Sequence, residues 1–562
     1  MIRLRALAPM LIVAAMTSLP AGGWHGARPV VARHAMVVTE QRLASDVGLQ
    51  VLREGGNAVD AAVAVGYALA VVDPCCGNIG GGGFMIVRMH DGRERFIDFR
   101  EVAPSRATRT MYLDAHGNVE PAKSRKGWLA VGVPGSVLGL ETARREYGTM
   151  SRAALMAPAI AFARDGFRLG AGDLIPFRAM PGGYAAARWA MQTPPRVGEL
   201  FRQPQLAATL ALIARDGPRA FYRGPIARAV VAAANAGGGV LTMEDFARYR
   251  VVQASPLHCS YHGYLLSAAP PPSSAGVTLC EILGILAPYP LSQWPWHGLR
   301  ETHYVVEADR RAYADRNAAL GDPAFVRNPV AQLLAPAYLA RLRASIDPSR
   351  ATPSSDVHPG LAALAHEHAQ TTHYSIVDAR GNAVAVTYTL NDWFGAGVVA
   401  GNTGFFLNDE MDDFTSKPGA PNMYGLVQGK ANAIAPGKRP LSSMAPTIVT
   451  RNGRLVMVTG SPGGSRIITI VLETLLDVFE HRMNVAQAVD APRIHMQWLP
   501  DEIQYEPGAL TGATLRGLRT EGYALREIAT WGSAQAIVVD SRTRLLEGAS
   551  DRRRPPGGAA GY

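Results

Sequence analysis

Thr371 and Thr372 open a segment rich in β-branched and aromatic residues, Thr372 to Val377, directly after a stretch of turn formers. A threonine hydroxyl is a weak nucleophile until a base stands beside it. A threonine at a chain N-terminus carries that base as its own α-amine, with a pKa of roughly 7.7–8.0. Thr371 is internal, so this chemistry requires scission of the Gln370–Thr371 bond. A second candidate is Gly460-Ser461-Pro462-Gly463-Gly464-Ser465, between the strand-like Leu455 to Thr459 and the apolar helical run Ile467 to Phe479. Paired glycines at a helix N-terminus bare backbone N–H groups, which suits an oxyanion. Neither this loop nor Gly80 to Gly83 carries the Gly-Lys-Ser/Thr or G-x-G-x-x-G fingerprint of nucleotide sites. Gly80 to Gly83 reads as a loop that lets two backbones come close.

The elements that must hold these residues can be read locally. Thr372 to Val377 and Asn382 to Leu390, separated by Asp378-Ala379-Arg380-Gly381, form a β-hairpin pattern. A turn centred near Arg380 sets Thr371 opposite Thr389, with Cβ atoms roughly 4.5–5.5 Å apart, and puts Asn391 on the same face. Leu43 to Asp73 reads as helix, Gly55-Gly56-Asn57 break, helix; strands follow at Phe84 to Met89 and Arg95 to Phe99. Helices dominate from Gly135 to Asp245, clearest at Ser151 to Arg164 and Leu206 to Arg215. Pro270 to Ser274 is a rigid loop before the apolar Val277 to Leu286. Leu299 to Arg316 is a helix on which Glu307, Asp309 and Arg310 are expected to pair along a solvated face. Asp347 to Gln370, with Pro348, Pro353 and Pro359 among serines, reads as a mobile linker running into the nucleophile strand.

With 562 residues, 48% hydrophobic and 18% charged, the chain can bury a large core. Its net charge of +10 is scattered along the chain, unlike the concentrated basic face of a nucleic-acid binder. Four cysteines make no disulfide framework and show no zinc spacing; a Cys259–Cys280 bridge needs an oxidising compartment, and Cys75-Cys76 has no assigned role. Arg3 and Arg5, the apolar run Ala6 to Leu19 and the small residues Ala21, Gly22 and Gly23 form the pattern of a secretory signal, with an uncleaved anchor helix as the alternative. Export to the periplasm or outside the cell is expected, with no stable membrane span once the signal is removed.

Several motifs together resemble the gamma-glutamyltranspeptidase family. They are Gln370-Thr371-Thr372-His373-Tyr374-Ser375, Thr389-Leu390-Asn391, Met411-Asp412-Asp413-Phe414, Arg439 to Thr447 and Thr459 to Gly464. Upstream, Gly55 to Ala62, Gly80 to Phe84, Asp98 to Glu101, Val133-Pro134-Gly135 and Ala314-Asp315-Arg316 extend the likeness. It implies an α+β, N-terminal nucleophile (Ntn) hydrolase fold: a four-layer αββα sandwich of two stacked antiparallel sheets flanked by helices. It further implies a proenzyme cut into a large subunit, residues 24–370 after a 1–23 signal, and a small catalytic subunit, 371–562, that pair as a heterodimer sharing one core.

By that resemblance Thr371 is the nucleophile, Gln370 and Thr371 flank the cleavage site, and Thr389 orients the nucleophile. Gly463 and Gly464 form the oxyanion hole. Arg100 grips the substrate α-carboxylate with help from Ser442 and Ser443. Asn391, Glu410 and Asp413 surround the α-amino group, Glu410 replacing the glutamine common in bacterial relatives. Tyr424 lies in a lid, Pro418 to Gly429. The expected substrates are glutathione and other γ-glutamyl compounds, with water, amino acids or peptides as acceptors and no cofactor or metal. The alternatives are a cephalosporin or glutaryl acylase on the same fold, which needs no ammonium cluster, and a non-catalytic relative.

Overall fold

The computed structural model describes residues 23–179, 195–357 and 371–562. Residues 1–22 of the expected signal, 180–194 of the helical stretch and 358–370, which include Gln370, lie outside the described residues.

Two seven-stranded sheets form the centre. In chain order their strands are β1 (Val30–Ala32), β2 (Met36–Thr39), β3 (Gly82–Arg88), β4 (Glu94–Asp98), β5 (Val252–Ala254), β6 (Leu257–Tyr261), β7 (Tyr264–Ala268), β8 (Thr372–Val377), β9 (Ala383–Thr389), β10 (Thr447–Arg451), β11 (Arg454–Gly460), β12 (Gln535–Val539), β13 (Leu546–Ser550) and β14 (Gly558–Gly561). One sheet runs β14-β2-β8-β9-β3-β4-β5, the other β1-β13-β12-β11-β10-β7-β6. Every pairing in both is antiparallel.

Side-chain alternation builds the layers, since successive residues of a strand face opposite sides. Val37, Met85, Val87, Tyr374 and Ile376 pack outward against helices α1 (Arg42–Arg53) and α2 (Ala58–Val72). Met36, Val38, Phe84 and Ile86 turn inward and share a core with Val458 of the second sheet. That sheet's far side is covered by α3 (Ala275–Leu286), α4 (Leu299–Ala319) and α5 (Ile467–Phe479). The result is helix, sheet, sheet, helix, the fold class expected from the sequence.

Local chemistry explains the boundaries. Gly55, at φ 95°, ends the first helical segment, and Asn57 caps α2 by accepting from Val59 and Asp60 N–H while the Asp60 carboxylate bonds back to Asn57 N. The hairpin has the expected register, from Thr372 opposite Tyr388 to Val377 opposite Ala383. A Cβ on Gly81 would lie 1.9 Å from the Thr389 carbonyl oxygen and one on Gly83 2.4 Å from that of Thr387, so the glycine run lets β3 lie directly on β9.

Two expectations are corrected. The charged stripe of α4 is not solvated: Glu307, Asp309 and Arg310 are each at most 1% exposed. Glu307 is bracketed by Arg310 and Arg311 and accepts from the Tyr523 hydroxyl at 3.0 Å, while burial pushes the carboxyl of Asp309, which forms no ion pair among the described residues, well up. The linker is anchored along its first part. Ala351 N donates to Glu521 O at 2.7 Å, and Trp498 Nε1 donates to Ser354 O at 2.9 Å. The Cys259–Cys280 disulfide ties edge strand β6 to α3, and Cys75 is bonded to Cys76. Among the described residues no helix is long and apolar enough to cross a membrane.

Candidate active site

The odd-numbered residues of β8 face the gap between the sheets. Thr371, one residue before the strand, is 3% exposed there, and its Oγ1 donates to Thr389 Oγ1 at 3.3 Å. Thr389 Oγ1 also accepts from Asn391 N at 2.8 Å, where the chain turns with φ 81°. A proton directed at Thr389 leaves the Thr371 oxygen lone pairs to face the cavity. His373, on the same face, meets Thr387 Oγ1 at 2.8 Å and Ser375 Oγ at 3.1 Å. Burial holds its pKa down at about 3, so it stays neutral.

The second sheet supplies the opposite wall. Strand β11 ends in Gly460, and the loop to α5 contains Gly463 at φ 145° and Gly464 at φ 56°. Gly464 opens the helical turn that leads into α5, and the first N–H groups of a helix have no intrahelical partner. Tyr313 of α4 fixes this loop by donating to Ser465 O at 2.6 Å.

Arg100 follows β4 and is fully buried. Its guanidinium bonds both Glu410 and Asp413, which come from the short turn Glu410–Asp413, and its Nε donates to Pro440 O at 3.2 Å. Burial alone would lower the Arg100 pKa, but Glu410, Asp413 and Glu101 outweigh it and raise it. Burial pushes the carboxyls of Glu410 and Asp413 up, and Arg100 only partly offsets this. One cation therefore sits among three buried carboxylates, with Glu410 Oε2 and both Glu101 oxygens lacking a hydrogen-bond partner.

Ser442 Oγ accepts from Met444 N at 3.1 Å, and Ser443 Oγ accepts from Arg316 Nη2 at 2.9 Å. The segment 418–429 meets Asn391 through Tyr424. The Tyr424 hydroxyl bonds Asn391 Oδ1 and, at 3.2 Å, Asn391 O. Met423 N donates to Asp412 Oδ2 at 2.9 Å, and Gln497 Nε2 donates to Tyr424 O at 3.1 Å.

One cavity is lined by Thr371, Thr389, Asn391, Arg100, Glu410, Asp413, Ser442, Ser443, Tyr424 and Gly464. Of the expected site residues, Gly463 stands one residue behind this lining and Gln370 lies outside the described residues. Arg316, Leu426, Met444 and Ile467 also line the cavity and had no assigned role in the sequence. Arg316 was visible only as part of the Ala-Asp-Arg motif, on a helix read as solvated. Ser274, whose N and Oγ hold the Ser442 carbonyl at 2.8 and 2.6 Å, lay in a loop with no chemical signature. Away from the cavity, Asp73, Cys75 and Cys76 cluster as metal ligands would, but the two sulfurs are bonded to each other.

The arrangement offers a hydroxyl nucleophile, amide donors for an oxyanion, and a buried patch of both signs beside them. The gamma-glutamyltranspeptidase family pattern matches residues 44–562. The chain is 51% identical to the glutathione hydrolase proenzyme of Pseudomonas sp. (strain A14), over 95% of each chain. Among solved structures, a cephalosporin acylase from Bacillus halodurans superposes with a TM-score of 0.84 at 27% identity, covering 97% of this chain and 98% of that one. The gamma-glutamyltranspeptidase of Helicobacter pylori superposes with a TM-score of 0.56 at 40% identity, covering 58% of this chain and 95% of that one.

Proposed function

The chain belongs to the gamma-glutamyltranspeptidase family, and on that premise we propose that it is an autoprocessing γ-glutamyltransferase and glutathione hydrolase whose nucleophile is Thr371. The observation that carries the assignment is the Thr371–Thr389 hydroxyl pair on the wall of a cavity that also holds Arg100 with Glu410 and Asp413.

Maturation begins when Thr371 Oγ attacks the Gln370 carbonyl carbon. The acyl group moves from nitrogen to oxygen, and water hydrolyses the resulting ester. This frees the Thr371 α-amine and leaves a large chain ending at residue 370 paired with a small chain of residues 371–562. The new amine takes the Thr371 hydroxyl proton as the oxygen attacks the γ-amide carbon of glutathione or another γ-glutamyl compound, then passes that proton to the departing amine. Gly463 and Gly464 N–H groups hold the oxyanion. Water, an amino acid or a peptide then takes the γ-glutamyl group from Thr371.

The charge pattern favours a zwitterionic donor. Arg100 is satisfied by two protein carboxylates until a ligand brings its own. A substrate α-carboxylate takes over the guanidinium fork with Ser442 and Ser443, and the α-ammonium takes up Glu410, Asp413 and the Asn391 carbonyl oxygen. Both charges of the ligand then have a partner of opposite sign. An acylase substrate with no α-amine would leave the displaced carboxylates uncompensated, so the acylase reading is the weaker one. Comparing turnover of γ-L-glutamyl-p-nitroanilide with glutaryl-p-nitroanilide tests this; preference for the glutaryl compound would refute the assignment.

Export fits the N-terminal segment. Gly23 to Ala27 are fastened to the body, with Arg552 Nη2 donating to Gly23 O at 3.2 Å, Gln487 Nε2 to His25 O at 2.7 Å and Asn484 Nδ2 to Ala27 O at 3.2 Å. Trp24 packs on Trp296 at 4.8 Å. These contacts support a signal that ends by residue 23 and a mature enzyme in the periplasm or outside the cell.

A further inference from the structure

Arg316, in the last turn of α4, reaches the active-site cavity beside Arg100 and is 1% exposed. Its guanidinium donates to three neutral oxygens: Ser274 Oγ at 2.9 Å, Asn317 Oδ1 at 2.7 Å and Ser443 Oγ at 2.9 Å. No carboxylate among the described residues forms an ion pair with it. Arginines buried as deeply differ: Arg100 meets Glu410 and Asp413, Arg310 and Arg311 meet Glu307, and Arg493 meets Asp551. Burial accordingly draws the Arg316 pKa down to about 10, with Asp413 acting on it only without contact. Keeping a desolvated cation without a counter-ion is costly, and an anionic ligand in the cavity relieves that cost.

The contact with Ser443 has a direction. A guanidinium has donors and no acceptor, so Ser443 Oγ can only accept from Arg316. The serine's single proton is then left to donate elsewhere, and a hydroxyl that accepts from a cation is a stronger donor. Ser274 Oγ and Asn317 Oδ1 hold the guanidinium in the plane from which it reaches Ser443.

We infer that Arg316 is a positioning residue for donor recognition: it holds Ser443 as an obligate hydrogen-bond donor to the substrate α-carboxylate. The inference rests on the proposed reading of Arg100, Ser442 and Ser443 as the carboxylate subsite. A residue that merely stapled α4 to the 442–443 loop would affect every substrate alike, whereas a residue acting through Ser443 affects those that carry the carboxylate.

The test compares kcat/KM for γ-L-glutamyl-p-nitroanilide with that for its analogue bearing an α-carboxamide in place of the α-carboxylate. The wild type prefers the carboxylate donor. Arg316→Gln is expected to cut that preference about tenfold or more through the KM of the carboxylate donor, with Arg316→Lys retaining most of it. Equal losses on both donors, leaving the preference intact, overturn the inference. Should Arg316→Gln fail to mature into two chains, Ser274→Ala and Asn317→Ala, which remove the two tethers of the guanidinium, supply the measurement: a fall in the preference supports the inference, and a wild-type preference in both overturns it. A wild type indifferent to the α-carboxylate instead refutes the subsite reading beneath it, and this inference with it.

Discussion

Thr371 Oγ1 donates to Thr389 Oγ1 at 3.3 Å, one residue beyond the first rung of the central hairpin. In the proposed mechanism this bond aims the nucleophile before and after maturation, so Thr389→Ala should slow both chain scission and turnover. One hydrogen bond of about 1–2 kcal/mol corresponds to roughly a 5- to 30-fold loss in each rate. Thr389→Ser should retain most of both. Gel time courses of the precursor and steady-state kcat report the two effects.

Arg100 is the only cation that Glu410 and Asp413 both touch among the described residues. Lysine keeps the charge and loses the planar fork, so Arg100→Lys should raise KM for a γ-glutamyl donor about 100-fold while kcat stays within about threefold. Unchanged KM with a collapsed kcat would move Arg100 out of donor binding.

At Gly463 the backbone φ of 145° excludes a side chain, and a Cβ would also come within 2.8 Å of Ile470 Cδ1. Gly463→Ala should therefore displace the oxyanion donors and lower kcat about 100-fold with KM changed by less than about threefold. Stopped-time assays on fully matured protein separate this from a processing defect.

Asp477 of α5 accepts from Trp296 Nε1 at 2.8 Å, and burial, opposed by His297, pushes its carboxyl up to about 7. A carboxyl raised in the folded state binds its proton more tightly there than in the unfolded chain. Its contribution to stability is full below about pH 4 and is lost as pH rises to about 7. Asp477→Asn should remove that slope, leaving the variant roughly 2–4 kcal/mol less pH-sensitive over this window than the wild type. Thermal melts from pH 4 to pH 8 on both proteins measure the difference.

Much of the site was legible because strand geometry is periodic. The turn at Asp378–Gly381 set the pairing of Thr372 with Tyr388, and the same register carried Thr371 to Thr389. The break at Gly55 and the helix Ile467–Phe479 were equally local. What escaped depended on distant partners. Glu307 reads as a surface charge until Arg310, Arg311 and Tyr523 close around it. Residues 348–357 read as a linker because the groups that hold them, Glu521 and Trp498, lie far along the chain. Arg316 was hidden for the same reason, since Ser274 and Ser443 reach it from two separate loops.

The central claim is that Thr371 becomes an N-terminus, and intact mass with N-terminal sequencing of the purified protein tests it most directly. The account predicts two chains that stay together: one of about 20 kDa beginning at Thr371, and one of about 37 kDa beginning near residue 24. Thr371→Ala should yield one uncut chain. A wild type that turns over γ-glutamyl donors as a single uncut chain, or a Thr371→Ala protein that still splits before Thr372, would contradict it.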